Sequence, residues 1–386
     1  MSAPRVFLYA QHLLGIGHLK RAATLARALA AEGLAVTLAS GGLPVPGMAM
    51  GAARLVQLPP ASAADMSFKR LLDERGRAVD EEWRRRRKEA LLSAWQAADA
   101  QVLVLELFPF GRRQMRFELL PLLDAAAAAP RRPAIVCSVR DILGGQRTAE
   151  RQQETLRILQ RYFDGVLVHG DPSVVGFERS FAPEAGIADK LHYTGYVVDE
   201  PAPRGDRSGT DEVLVSAGGG AVGAALLEAA IEAKSLTALK DRVWRVLAGN
   251  NLPEPAYRKL AGLAARADGV LLERSRPDFT TLLANCTLSI SQAGYNTLLE
   301  TAQAGARAVV VPFAGGAEVE QSLRARCFAE RGLVELLEES ALTPQALAAA
   351  VDRAAARPAP AKGGIDLDGA RQSAALIARW ARRGFA

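Results

Sequence analysis

Cysteine, histidine and lysine are scarce in this 386-residue chain, and each scarcity closes a line of argument. The three cysteines, Cys137, Cys286 and Cys327, are odd in number and scattered, which excludes a disulfide framework and fits a reducing compartment. Four dispersed histidines offer no metal-ligand spacing, so no metal is expected. The apolar runs, such as 102–105 and 309–312, are far too short to span a bilayer. Residues 1–5 lead straight into a strand, with no basic-then-apolar leader. A Gly-x-Ser-x-Gly turn is also missing, which excludes that nucleophile elbow. A cytoplasmic protein is the expectation.

What is present describes a globular chain of two domains. Hydrophobic residues make up 49% and charged residues 23%, and the length exceeds what one core usually serves. The formal charge is +6, carried by forty arginines against eight lysines. Such a surface suits anionic substrates or anionic lipid. No nucleic-acid module appears, so nucleic acid is not an expected partner.

Short apolar runs alternate with amphipathic stretches. Strands are expected at 6–10, 34–40, 102–108, 134–139, 165–169, 212–217, 243–248, 270–273, 287–291 and 308–313, with helical periodicity between them, as at 19–31, 224–233 and 297–304. This is the pattern of parallel sheets with helices on both faces. A polar, Pro/Gly-rich stretch at 199–211 reads as a linker, and a new strand–Gly-loop–helix unit follows it. The boundary is therefore placed between 204 and 205. Residues 365–383 form an amphipathic helix. Residues 62–98 are too long for an ordinary loop. They include Trp83-Arg84-Arg85-Arg86-Arg87-Lys88, read as a long helix whose charged face is either solvated or an element that meets an anionic acceptor or membrane surface.

The richest stretch is Ser289-Ile290-Ser291-Gln292-Ala293-Gly294-Tyr295-Asn296-Thr297-Leu298-Leu299-Glu300. A strand that stops where a helix starts aims free N–H groups and a helix dipole at one point, which suits a phosphate. One turn on, the Glu300 carboxylate can take both hydroxyls of a ribose. Near the N-terminus, strand 6–10 runs into Gln11-His12-Leu13-Leu14-Gly15-Ile16-Gly17-His18-Leu19-Lys20-Arg21. Gly15 and Gly17 permit a tight turn, and Lys20 stands where a dinucleotide fingerprint needs glycine. His18 sits at a helix N-terminus, which disfavours imidazolium and keeps it able to accept a proton. Gly218, Gly220 and Gly223 satisfy Gly-x-Gly-x-x-Gly, but the strand that follows ends in Gly249-Asn250-Asn251 without the acid a nicotinamide site needs. On the first half, Glu106 with 108–110, Arg140 with Asp141, and 169–171 stand at strand ends, where ligands bind in such sheets.

The stretch 289–300 resembles the donor-nucleotide site of GT-B glycosyltransferases, particularly the family-28 group that contains the lipid-II-forming N-acetylglucosaminyltransferase. The loop with Gly15, Gly17, His18 and Arg21 is similar to the acceptor-side loop of that family, and more closely to the loop of related nucleotide-sugar hydrolases. The resemblance implies an α/β GT-B fold of two doubly wound, Rossmann-like domains facing a central cleft. Residues 1–204 would bind the acceptor and 205–364 the donor, with 365–386 crossing back to the first domain. It implies donor contacts from Gly218, Gly219, Gly220, Arg276, Gln292, Gly294, Tyr295, Asn296 and Glu300, and sugar-hydroxyl contacts from Glu320 and Gln321. Gly15, Gly17, Arg21, Glu106, Arg140 and Asp141 would line the acceptor side, and His18 would be the catalytic base. The expected activity is transfer of a sugar from a nucleoside diphosphate, UDP foremost, to an acceptor hydroxyl, inverting and without a metal or other cofactor. The acceptor is unknown, with a lipid-linked or glycan species and peripheral contact with an anionic membrane among the expectations. The alternatives are hydrolysis of a nucleotide sugar, or non-catalytic binding of nucleotide sugar or anionic lipid.

Overall fold

A computed structural model describes residues 3–65, 70–144, 148–181, 187–201, 205–218, 223–315, 320–361 and 363–383. The chain forms two compact units, one of residues 1–143, 147–198 and 368–386, the other of 144–146 and 199–367. The division falls at 198/199 and 367/368, a few residues from the 204/205 boundary read from the linker composition and the 364/365 boundary the resemblance implied.

In the first unit the elements run β1 (Arg5–Ala10), α1 (Gly17–Ala31), β2 (Ala35–Ser40), β3 (Arg54–Gln57), β4 (Ser62–Ala63), β5 (Leu71–Leu72), α2 (Glu81–Ala98), β6 (Val102–Glu106), α3 (Arg116–Ala127), β7 (Ala134–Arg140), α4 (Ala149–Tyr162), β8 (Gly165–His169) and β9 (Leu191–Tyr193). The second unit has β10 (Val213–Ser216), α5 (Ala224–Ala233), β11 (Trp244–Leu247), α6 (Glu254–Ala264), β12 (Val270–Glu273), α7 (Phe279–Asn285), β13 (Leu288–Gln292), α8 (Tyr295–Ala304), β14 (Ala308–Val311), α9 (Glu320–Glu330), β15 (Glu335–Leu336) and α10 (Pro344–Ala356). The final helix, α11 (Gly369–Arg383), belongs to the first unit and packs on α1.

All ten expected strands form. The five that periodicity missed, β3, β4, β5, β9 and β15, are short edge or hairpin strands of two to four residues with little apolar pattern to read.

The first sheet has the parallel order β3-β2-β1-β6-β7-β8-β9, and the second β12-β11-β10-β13-β14-β15. Each is a doubly wound sheet whose strand order reverses once, between β1 and β6 and between β10 and β13. Ligands bind outside the carboxyl ends of the strands at such reversals. Alternation along β1 sorts the core: Val6, Leu8 and Ala10 pack with α1 and α11, while Phe7 and Tyr9 pack with α2, α3 and α4. The second sheet is filled in the same way, with Val213 and Val215 on one face and Leu214 on the other.

Helix α2 corrects the reading of the basic run. Its N-cap Asp80 accepts from the Trp83 N–H at 2.7 Å. Arg87 is fully buried, and its guanidinium donates to both Glu118 oxygens (2.8 and 3.0 Å), to the carbonyls of Gly41 and Pro59, and to Gln11 Oε1. Arg84 pairs with Glu81, and Arg85 with Glu82 and Glu89. The run is therefore neither one solvated face nor one basic surface: helical spacing turns every fourth residue inwards, and carboxylates neutralise much of what remains. Among the described residues no helix is long and apolar enough to cross a membrane.

Candidate active site

The strand reversal of the first sheet gathers the residues that follow β1 and end β6. Helix α1 starts at Gly17 behind Ile16, with no side-chain cap and no acid in its first turn. His18 stands in that turn, and its Nδ1 lies 3.0 Å from Glu106 Oε1 at the end of β6. Arg21, one turn further along α1, donates to the same oxygen. Ser138 on β7 donates to Glu106 Oε2 at 2.6 Å, and Ser138 Oγ lies 2.8 Å from His169 Nε2 at the end of β8. His169 Nδ1 is 3.0 Å from Thr194 Oγ1.

Donor and acceptor counting settles the tautomers. A carboxylate only accepts, so Nδ1 of His18 carries the hydrogen, and because burial keeps the ring neutral Nε2 is left with a lone pair. The guanidinium 3.3 Å from that Nδ1 then shares the carboxylate with it rather than donating to it. Ser138 gives its hydrogen to Glu106, so His169 Nε2 must donate to Ser138. Burial keeps His169 neutral, so its Nδ1 accepts from the Thr194 hydroxyl.

The electrostatics agree. Burial and the Arg112 charge push His18 well below its ordinary value, against the raising effect of Glu106, with Arg140 and Arg21 lowering it further. Burial takes His169 down to about 3. Burial alone would raise Glu106, but Arg21 and the bonds from His18 and Ser138 overcome it and hold the carboxyl ionised. What results is an oriented neutral imidazole backed by a fixed carboxylate, an arrangement able to accept a proton at Nε2.

Other acceptor-side expectations separate. Asp141 is fully buried and accepts from the Ile142 N–H and the Tyr196 hydroxyl, so it anchors the end of β7 instead of lining a surface. Phe108 and Phe110 are core residues, the latter edge-on to Phe177 and Phe181. Asp171 accepts from the Ser173 N–H in a turn. Gly15 is exposed, with open space where a Cβ would stand. Arg112, which sequence reading passed over, lies in the loop after β6 with a left-handed φ of 61°. No composition signal marks such a residue.

In the second unit the same logic brings the β10 loop beside β13. Gly223 has φ 111°, and a Cβ there would come 2.5 Å from Ala217 Cβ and 3.3 Å from Gln292 Nε2, so glycine is needed twice over. The Gly218 N–H donates to Ser216 Oγ at 3.2 Å. Gly219 and Gly220 lie outside the described residues. Gly294 has an ordinary φ of −62° and caps α8 without a side chain. A Cβ on it would meet nothing nearer than Thr297 Oγ1 at 3.9 Å. The fold does not require glycine there. Glu300 is buried in the second turn of α8.

Three donor-side expectations have structural partners. Arg276 is held bidentately by Asp278 at 2.8 and 2.7 Å, and also meets Glu273 at 3.3 Å. Glu320 pairs at 3.1 Å with Arg324, whose guanidinium lies 4.9 Å over the Tyr295 ring and ties α9 to α8. Gln321 Oε1 accepts from the Phe313 N–H at 3.2 Å, fixing the end of β14. Arg324 was missed because its i,i+4 relation to Glu320 is an ordinary helical one.

Comparison with known proteins matches residues 214–363 to the family model described as Glycosyltransferase family 28 C-terminal domain. A stretch of 74 residues is 36% identical to the UDP-N-acetylglucosamine–N-acetylmuramyl-(pentapeptide) pyrophosphoryl-undecaprenol N-acetylglucosamine transferase of Dichelobacter nodosus, spanning 19% of this chain and 20% of that relative's length. The calicheamicin glycosyltransferase CalG4 superposes with a TM-score of 0.59 at 18% identity, covering 99% of this chain and 94% of its own. LpCGTa in complex with UDP superposes at 0.58 and 16% identity, covering 100% and 95%. These likenesses establish the GT-B fold with its two Rossmann-like domains, and residues 214–363, in the second of them, are similar to the family-28 C-terminal domain.

Proposed function

We propose, from the premise that residues 214–363 match a glycosyltransferase family 28 C-terminal domain, that this protein transfers a sugar from a UDP-linked donor to an acceptor hydroxyl, inverting and without a metal. The UDP donor is supported by the UDP-bound neighbour and by the name of the Dichelobacter relative, which also makes a lipid-linked acceptor reasonable. The observation that carries the reading is His18 Nδ1 at 3.0 Å from Glu106, which points the proton-accepting role to Nε2.

In this reading the acceptor hydroxyl gives its proton to His18 Nε2 while its oxygen bonds to the anomeric carbon. The bond to the diphosphate oxygen breaks as the new one forms, and its electron pair leaves with the diphosphate. A single displacement inverts the carbon through an oxocarbenium-like transition state. The charge gathered on the diphosphate is met by the dipole and the backbone N–H groups at the start of α8. Glu106 stabilises the imidazolium that forms. Glu300 takes the ribose hydroxyls, and Glu320 and Gln321 approach the sugar if their structural bonds leave a second lone pair for it.

The test is diphosphate release from UDP-sugars, with and without candidate acceptors. Release should be slow from donor alone and accelerate when the right acceptor is added. His18→Ala should slow the acceptor-dependent rate by about two to four orders of magnitude with little change in UDP affinity. Fast release without acceptor that vanishes in His18→Ala would make the protein a nucleotide-sugar hydrolase instead.

A further inference from the structure

Four neighbouring strands of the first sheet each contribute one buried polar side chain at their carboxyl ends. Glu106 closes β6, Ser138 lies opposite it in the register of β7, His169 closes β8 and Thr194 follows β9. All four are almost fully buried, while Leu105, Cys137, Val139 and Val168 beside them belong to the apolar core. A polar row placed there is costly unless every member is bonded. Arg21 and His18 already meet the Glu106 charge, and apolar residues behind it would serve packing about as well.

The row has a direction. The Thr194 hydroxyl donates to His169 Nδ1 (3.0 Å), His169 Nε2 donates to Ser138 Oγ (2.8 Å), and the Ser138 hydroxyl donates to Glu106 Oε2 (2.6 Å). Every hydrogen points towards Glu106, and hydrogen bonds in series strengthen one another. Ser138 thereby holds Oε2, and Oε1 faces His18 Nδ1 at 3.0 Å together with Arg21. The competing arrangement is a carboxylate turned about its last torsion to offer both oxygens to Arg21, because a guanidinium grips a carboxylate best through two parallel N–H bonds. In that arrangement His18 Nδ1 loses its acceptor. The ring is then free to carry its hydrogen on Nε2, which can no longer take a proton.

We infer that Ser138 and His169 are positioning residues for the proposed transfer: they stop Glu106 from turning to Arg21 and so keep the His18 lone pair on Nε2, the nitrogen that takes the acceptor proton. The purpose of this device rests on the transferase reading; its geometry rests on the bonds alone.

The test reads the tautomer of His18 directly. Nitrogen NMR of the full chain with isotope-labelled histidine observes the ring nitrogens of four histidines, and His18→Ala assigns the pair that matters. Wild type should show the hydrogen on Nδ1 and the lone pair on Nε2. Ser138→Ala should move the hydrogen in part to Nε2. It should also lower kcat for acceptor-dependent transfer about tenfold to a hundredfold, the loss of one hydrogen bond to a charged group, with KM for the UDP-sugar little changed. His169→Phe fills the same space without a donor and should shift the tautomer in the same sense. His169→Gln returns an N–H near the place of Nε2 and should stay close to wild type. That rescue separates positioning from packing, and the His169 pair decides alone should Ser138→Ala fail to fold. A wild-type tautomer or an unchanged kcat in Ser138→Ala, or like behaviour of His169→Phe and His169→Gln, would overturn the inference. Absence of transfer from any UDP-sugar by the wild type would instead remove the transferase reading, and the tautomers would still decide whether Ser138 orients His18.

Discussion

At the scale of single residues, the site is a line of side chains whose protonation is fixed by burial and by the partner each one faces. The line sets a pH dependence. His169, at about 3 in the folded protein against an ordinary 6.5, stays neutral where the unfolded chain takes up a proton. Its contribution to stability is therefore complete above 6.5 and is lost as pH falls towards 3. His18 is shifted in the same direction, and Glu106, held low, adds a loss that sets in further into acid. Denaturant midpoints should fall between pH 7.5 and 5, and His169→Asn, which keeps a donor and an acceptor, should flatten that fall. An unchanged slope would mean that His169 is not buried neutral. His18 and Glu106 were both legible as candidates, one from a Gly-x-Gly-His turn and one from its place at a strand end. That one is the partner of the other was not, because 88 residues separate them and only the strand order β1-β6 closes the gap.

At the scale of elements, α2 shows how far a composition signal can mislead. Trp83-Arg84-Arg85-Arg86-Arg87-Lys88 is basic as a string, yet the helix sends Trp83 and Arg87 into the core and pairs Arg84 and Arg85 with glutamates of the same helix. The two kinds of arginine should respond differently to mutation. Arg87→Met leaves Glu118 buried without its cation and should cost about 3–5 kcal/mol of stability. Arg85→Ala removes only solvent-exposed pairs and should cost less than about 1 kcal/mol. Equal effects in chemical denaturation would contradict the burial of Arg87. Helix α8 is the opposite case. Its start was readable because a strand, a glycine and an amphipathic run follow one another without interruption, and such local order needs no distant partner.

At the scale of the whole molecule, the two doubly wound sheets divide the proposed work: one presents the base, the other the nucleotide. A ligand held by the native state alone raises apparent stability, by about 2.7 kcal/mol when present at a hundred times its Kd. A panel of nucleoside diphosphates should therefore raise the unfolding temperature, UDP most, and a chelator should leave both that shift and the rate of diphosphate release unchanged. Glu300→Ala should weaken UDP binding by about 1.5–3 kcal/mol. A shift that depends on added divalent cation would refute the metal-independent reading, and an unaltered UDP affinity in Glu300→Ala would remove that residue from the ribose.

The sequence alone determined the alternation of strands and helices, the duplication into two Rossmann-like halves and the glycine-rich turns after β10 and β13, because each of these is written in neighbours within a few residues of one another. It also singled out His18, whose helix-start position is local. Only the tertiary structure decided which polar side chains are occupied by the fold. Arg276 is bound by Asp278, Asp141 by Tyr196 and Arg87 by Glu118, while Glu106, Ser138 and His169 are aligned behind His18. Strand order decides these matters, since parallel pairing through crossovers sets side by side residues that the chain keeps tens of positions apart.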